Sequence, residues 1–368
     1  MTVDFTELSR QIGPGFATKS AEADANDTFV GGNYPEMKAN KLFSAGVPVE
    51  LGGGGASHAE LCDMLRELAH HCSSTALALS MHTHLVAMPA YRWRNEGAGF
   101  GEGLLRRVAA EELVLVSTGA SDWLDSSGTM TRVEGGYRFT GRKVFGSGSP
   151  AGELLVTSAV FEDPESGPTV LHFALSMKAE GVTILDNWRT LGMRSTGSND
   201  IVIENAFIPE AAVTGKRPKG AWGPLHHVVL IALPIVFSVY TGVAEAARNI
   251  ALAQAKKKSN DLDVRMNVAE MENQLRATQI ALASVIDIAA HAKPGPETTN
   301  EIVIRRTLLG QAAIRTVECA MEVAGGSGFF RPLGLERLFR DVQGARYHPL
   351  TAKRQLDYTG RFALGLDL

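Results

Sequence analysis

Cysteine is scarce in this chain. There are three, Cys62, Cys72 and Cys319, an odd number and none at metal-ligand spacing. Each falls in a helical pattern, which argues against a disulfide framework or a metal site and for reduced core thiols in a cytoplasmic setting. An excess of one charge sign is also missing. A formal net charge of −4 over 368 residues gives no electrostatic reason to expect nucleic acid or an anionic membrane as partner. Long apolar runs are few. The longest, 228–239, is interrupted by Pro234, is too short to span a bilayer, and reads as a buried helix. The first residues, Met-Thr-Val-Asp-Phe-Thr-Glu, lack the apolar centre of a signal peptide. Common catalytic signatures are missing too: there is no GxGxxG at a strand–helix junction, no Walker loop, no GxSxG and no HExxH. Gly325-Gly-Ser-Gly328 follows a helix rather than a strand, so a Rossmann reading fails and hydrolase and metalloenzyme readings have little support.

What remains is a globular composition, 45% apolar and 21% charged, in a chain too long for one core. Its periodicity divides it in three. Residues 1–112 read as helical: Ser57 with Glu60 forms a capping box, and Leu61, Met64, Leu65, Leu68 and Cys72 make one stripe. The following helix carries His82 and His84, two apart, so they point in different directions and make no metal pair; one of them is a candidate for lining a pocket. Residues 113–216 switch to short β-rich runs at 113–117, 136–145, 154–161, 169–175 and 201–207, which reads as an antiparallel β domain. Residues 217–368 return to helices, with a seam from Val264 through Met271, Leu275 and Leu282 to Ala289, as in a four-helix-bundle-like domain. The fold class is α+β multidomain: an N-terminal helical domain, a central antiparallel β domain and a C-terminal helical bundle.

One stretch organises the rest. Residues 135–150 begin as a hairpin strand, with Tyr137, Phe139 and Gly141 alternating with Arg138 and Thr140. They end in Phe145-Gly-Ser-Gly148, where a ring, a hydroxyl and two permissive glycines stand together. Such a cluster suits a flat ligand: the ring packs on its face, the hydroxyl bonds its polar edge, and glycine lets backbone come close. It also reads as a hairpin end with a polar loop. A second glycine-punctuated loop, 188–200, carries Trp188, which a purely structural turn does not need.

In order along nearly the whole chain, five segments resemble the acyl-CoA dehydrogenase superfamily. They are Gly46-Val-Pro-Val-Glu-Leu-Gly-Gly53, Leu68–Leu77, Leu191–Asp200 with Asn205–Pro209, Gly325-Gly-Ser-Gly-Phe329, and Leu335-Glu-Arg-Leu-Phe-Arg-Asp341. The resemblance implies a homo-oligomer, tetramer or dimer, with a flavin (FAD or FMN) between the β domain and the C-terminal bundle. It implies Phe145 beside the isoalloxazine, Ser147 near its N5 and Trp188 close to the ring. Gly325, Gly326 and Gly328 would approach the phosphate or adenosine end of a neighbour's cofactor.

The chain departs from the family's dehydrogenases at the catalytic base. Pro349 and Ala232 stand at the two positions where those enzymes carry a glutamate. Phe145-Gly-Ser-Gly148 and His348 look instead like the two-component flavin monooxygenases of the same fold, which take reduced flavin from a separate reductase and use dioxygen to oxygenate a small molecule. His348 is then the candidate catalytic residue, with a helix-capping or surface role as the alternative; His82, His84 and His227 are candidates for a substrate pocket. Two other readings stand: an atypical acyl-CoA dehydrogenase using His348, His226 or His227 as base, and a non-catalytic partner subunit.

Overall fold

The computed structural model describes residues 3–97, 99, 101–119 and 121–368, without the side chain of residue 121. The N-terminal part is built from α1 (Phe5–Ala25), α2 (Tyr34–Ala39), α3 (His58–His71), α4 (Ser73–Asn95) and α5 (Glu102–Glu111). The α3 start is the capping box read from sequence: Ser57 accepts from Glu60 N while Glu60 reaches back to the Ser57 amide. Leu61, Met64, Leu65 and Leu68 are buried as the stripe requires.

The middle of the chain is one eight-stranded sheet with a short helix, α6 (Ser121–Leu124), at its side. Its strands are β1 (Leu115–Val116), β2 (Thr129–Val133), β3 (Gly136–Gly146), β4 (Leu154–Asp163), β5 (Gly167–Ser176), β6 (Val182–Ile184), β7 (Asn199–Pro209) and β8 (Val213–Pro218). The order is β6-β7-β3-β2-β4-β5-β8, with β1 on β4. The sheet is mixed rather than antiparallel throughout, because β4 runs parallel to both β1 and β2. β2 and β3 form the expected hairpin, closing Val133 on Gly136. The period of two persists along β3: Tyr137, Phe139 and Lys143 point inward while Arg138, Thr140 and Arg142 face solvent.

After β8 the chain forms α7 (Gly223–Ala255), α8 (Leu262–His291), α9 (Pro296–Ala324), α10 (Leu335–Val342) and α11 (Ala352–Leu364). α7 runs through Pro234 without stopping, so it is longer than the interrupted apolar run suggested. By length and composition it could cross a membrane, yet 94% of its most apolar window lies inside the protein. It is apolar on every side because α3, α4, α8, α9 and α10 surround it. Met271, Leu275, Leu282, Val285 and Ala289 of α8 are buried along the predicted seam. All three cysteines are free and buried.

Candidate active site

A cavity of about 550 Å³ opens between the sheet and the C-terminal helices. Its helical wall comes from α7, where Leu225, Val228, Ala232, Val236 and Tyr240 recur at the spacing of one helix face. The opposite wall is the end of β3 with the loop before β7.

Phe145 closes β3 with φ of +56°, a left-handed conformation that a bulky ring rarely adopts. It leaves 54% of its surface uncovered, with its ring centre 5.9 Å from that of Trp188 and the planes at 77°. Two aromatic rings thus stand on the cavity wall with apolar faces unspent. Behind them is a chain of hydroxyls. Ser147 Oγ lies 2.7 Å from Ser198 Oγ, which lies 2.7 Å from Thr196 Oγ1, and Thr196 donates to the Met193 carbonyl at 2.9 Å. Trp188 Nε1 donates to the same carbonyl at 3.0 Å. These bonds hold Ser147 and Trp188 in one frame.

The frame is tied to the helices by Asp341, buried on α10. Its carboxylate accepts from the Met193 amide at 2.5 Å and from the Ser73 hydroxyl at the start of α4. Burial pushes its pKa up, against those two bonds. The fit is tight: a Cβ on Gly192 would lie 2.1 Å from the Arg340 carbonyl oxygen, so only glycine lets the loop meet α10. On the sheet side, fully buried Lys143 pairs with Asp122 at 3.0 Å and donates to the Ser127 and Ser158 carbonyls, pinning the segment that carries Trp123.

His348 lines the cavity across from this frame. Its Nε2 lies 2.6 Å from the Tyr240 hydroxyl. Burial, with the Arg306 guanidinium nearby, pushes the imidazole pKa down to about 3, and burial raises that of Tyr240. The Tyr240 hydroxyl and the neutral imidazole share one hydrogen bond through Nε2, and among the described residues Nδ1 has no partner. Arg306, buried in α9 with its guanidinium 5.0 Å from the centre of the Phe237 ring, donates to the His348 and Leu350 carbonyls and fixes this segment.

His84 also lines the cavity, with its ring centre 5.5 Å from that of Trp123. His82, two residues earlier, does not. Its Nε2 faces the Phe43 carbonyl at 2.7 Å and its Nδ1 accepts from the Leu115 amide at 3.0 Å, so both nitrogens serve the core and the pocket role expected of it fails. The same expectation fails for His227, which sits outside the cavity beside Glu96 at 2.9 Å. His226 is held by Thr299. Gly325, Gly326 and Gly328 form a turn after α9 away from this cavity, and a Cβ on either of the first two would meet nothing. Sequence reasoning missed Tyr240, Ser198, Met193 and Arg306; the one signal for Tyr240 was a phenol inside an otherwise apolar run.

The residues fit a flavin ring on this chain's own features: uncovered aromatic faces at Phe145 and Trp188, a hydroxyl held ready at Ser147, and a gap behind them. Among the described residues lining the cavity there is no carboxylate. Pro349 and Ala232 are both on its wall.

Comparison with known proteins agrees with the fold. The "Acyl-CoA dehydrogenase, N-terminal domain" family model matches residues 13–98 and the "Acyl-CoA dehydrogenase, C-terminal domain" model residues 236–353. Relatives include the amino sugar nitrososynthase DnmZ of Streptomyces peucetius, 28% identical over 98% of this chain and 92% of that protein. The putative acyl-CoA dehydrogenase YdbM of Bacillus subtilis (strain 168) is 26% identical over 92% of this chain and 91% of its own. A structure of KijD3 in complex with FMN and dTDP-3-amino-2,3,6-trideoxy-4-keto-3-methyl-D-glucose superimposes with a TM-score of 0.90 at 26% identity, covering 100% of this chain and 96% of the other. The two family models together match more than half of the sequence, and the chain belongs to the acyl-CoA dehydrogenase superfamily.

Proposed function

We propose that the chain is a flavin-dependent, monooxygenase-like oxidoreductase that uses reduced flavin and dioxygen on a small organic substrate. Bound flavin supplies the redox chemistry, carrying the electron pair that dioxygen takes up. The protein's part follows from its own groups. Phe145 and Trp188 offer faces for the ring, and Ser147, braced by Ser198 and Thr196, offers a hydroxyl to its polar edge. The apolar α7 wall excludes water from the space opposite.

The observation that carries this reading is the state of His348. Desaturating an acyl thioester needs a base with a free lone pair facing the substrate. The cavity presents no carboxylate, and in this reading the Tyr240 hydroxyl donates to His348 Nε2 and takes up its lone pair. What faces the cavity is a neutral Nδ1–H, a donor suited to steadying a developing negative charge on oxygen and giving it a proton. The likeness to a pigment production hydroxylase of Rhodococcus, 24% identical over the whole of this chain, supports the same side; the putative dehydrogenase at similar identity shows that likeness alone does not decide.

Three subsidiary readings go with it. Reduced flavin comes from a separate reductase, since the chain has no nicotinamide-binding fingerprint. The protein is a dimer or tetramer, supported by Phe329 and Phe330, 82% and 68% exposed beside the Gly325–Gly328 turn; a monomer mass by light scattering overturns this. Three free buried thiols suit a cytoplasmic location, which a disulfide between chains recovered from cells would contradict.

The deciding experiment is rapid mixing of protein carrying reduced flavin with oxygenated buffer. A lag before oxidised-flavin colour returns, with no bleaching of the oxidised form by acyl-CoA, is expected. Immediate return of colour together with bleaching by an acyl-CoA means desaturation instead. Failure to bind added FMN or FAD at all means a silent partner subunit.

A further inference from the structure

We propose that the substrate is an uncharged, largely apolar small molecule bearing one hydrogen-bonding group, and that His84 is the residue that holds this group. The inference rests on the flavin reading of the cavity, since ring and substrate must share its space.

Two independent features lead here. The first is charge. Among the described residues lining the cavity the only full charge is Arg340, and its guanidinium is committed: it pairs with Asp24 at 2.5 and 2.9 Å and with Glu336 at 2.8 Å. A phosphate or carboxylate entering the cavity would find no free cation, and an ammonium would find no carboxylate. Burying either without a partner is strongly unfavourable. The walls that meet the substrate are instead Met81, Val228, Val229, Leu233 and the face of Trp123.

The second feature is His84. It is 4% exposed, borders the cavity, and among the described residues has no hydrogen-bond partner for either ring nitrogen, whereas its neighbour His82 has two. Its Nδ1 is enclosed by protein, so Nε2 is the nitrogen left to meet a ligand in the cavity. Burial, and to a lesser degree His82, pushes the pKa to about 3, so at neutral pH the ring is uncharged and offers one N–H and one lone pair. A neutral ring nitrogen that borders a cavity without a protein partner is one that a ligand's donor or acceptor can satisfy. A hydroxyl, a carbonyl or an aromatic N–H suits a neutral imidazole; a charged group does not.

The test is calorimetric binding to the flavin-loaded protein. Indole serves as a neutral bicyclic probe with one N–H, indene as its isostere without that donor, and dTDP as a charged probe. Binding of added FMN is measured first, by the change in its visible absorbance on titration with protein; its absence overturns the reading of the cavity itself. With flavin bound, indole binds and dTDP does not. His84→Ala weakens indole about fivefold to tenfold, the size of one buried hydrogen bond, and leaves indene unchanged. His84→Gln, which restores an amide at similar reach, recovers most of the indole affinity. The proposal is overturned if dTDP binds and indole does not, if neither binds, or if His84→Ala weakens indole and indene equally, which would make His84 a packing residue.

Discussion

In the proposed reaction the chemistry turns on the Tyr240–His348 pair. With the phenol donating to Nε2 and burial holding the imidazole neutral, the rate of substrate oxidation should show no histidine titration between pH about 6 and 7. Tyr240→Phe removes the hydroxyl while burial and Arg306 still keep the imidazole neutral, so kcat should fall about tenfold with KM little changed and no acidic limb appearing. An unaltered kcat in that variant would remove Tyr240 from the mechanism. The same burial has a cost for stability. Both His84 and His348 stay neutral in the folded chain, so below pH ~6.5 the unfolded chain takes up protons that the folded one does not, and stability falls. Phe145, Ser147 and Trp188 could be picked out from sequence because a ring and a hydroxyl among glycines are odd in a turn. Tyr240 could not: in an apolar helix it reads as one more core aromatic, and its partner is 108 residues away. Nor could sequence choose between His82 and His84, since only the fold shows which one meets two backbone partners.

At the level of elements, α7 is the wall of the cavity and its position is fixed from behind. Glu245 on its far end, 7% exposed, accepts from Arg66 and His70 of α3 and from Gln279 of α8. Burial opposes ionisation there, yet these bonds together pull its pKa down from 4.5 to about 2. A carboxyl depressed in this way contributes stability that is fully present above its unfolded pKa, about 3 kcal/mol at neutral pH. That contribution is lost as pH falls from ~4.5 toward ~2. Glu245→Gln should therefore lower stability at pH 7 by about 3 kcal/mol in denaturant unfolding and flatten the acid dependence over that window. Equal acid sensitivity in the variant would contradict it. Helices such as α3 and α8 were legible because stripe and cap coincide in sequence. β2, β6 and β8 were not placed among the β-rich runs: they are short and partly exposed, and their pattern is too weak to separate from loop. The parallel pairing of β4 with β1 and β2 depends on contacts across the sheet that no local pattern encodes.

Across the whole molecule, the sheet and the helical bundle meet around the cavity, and Asp341 ties them there by accepting from the Met193 amide and the Ser73 hydroxyl. The order of helical, β and helical segments was readable because hydrophobic period changes twice along the chain. The cavity between them was not, since its wall draws on residues from Leu77 to Leu350. The account's central claim is that a flavin ring lies in that cavity between the Phe145–Ser147 corner and α7, with no carboxylate beside it. A crystal structure of the FMN complex tests this most directly. The account predicts the ring against Phe145, with Ser147 Oγ within about 3 Å of its polar edge and no Asp or Glu oxygen within about 5 Å of the space over the ring. A flavin bound elsewhere, or a carboxylate reaching over the ring, would contradict it.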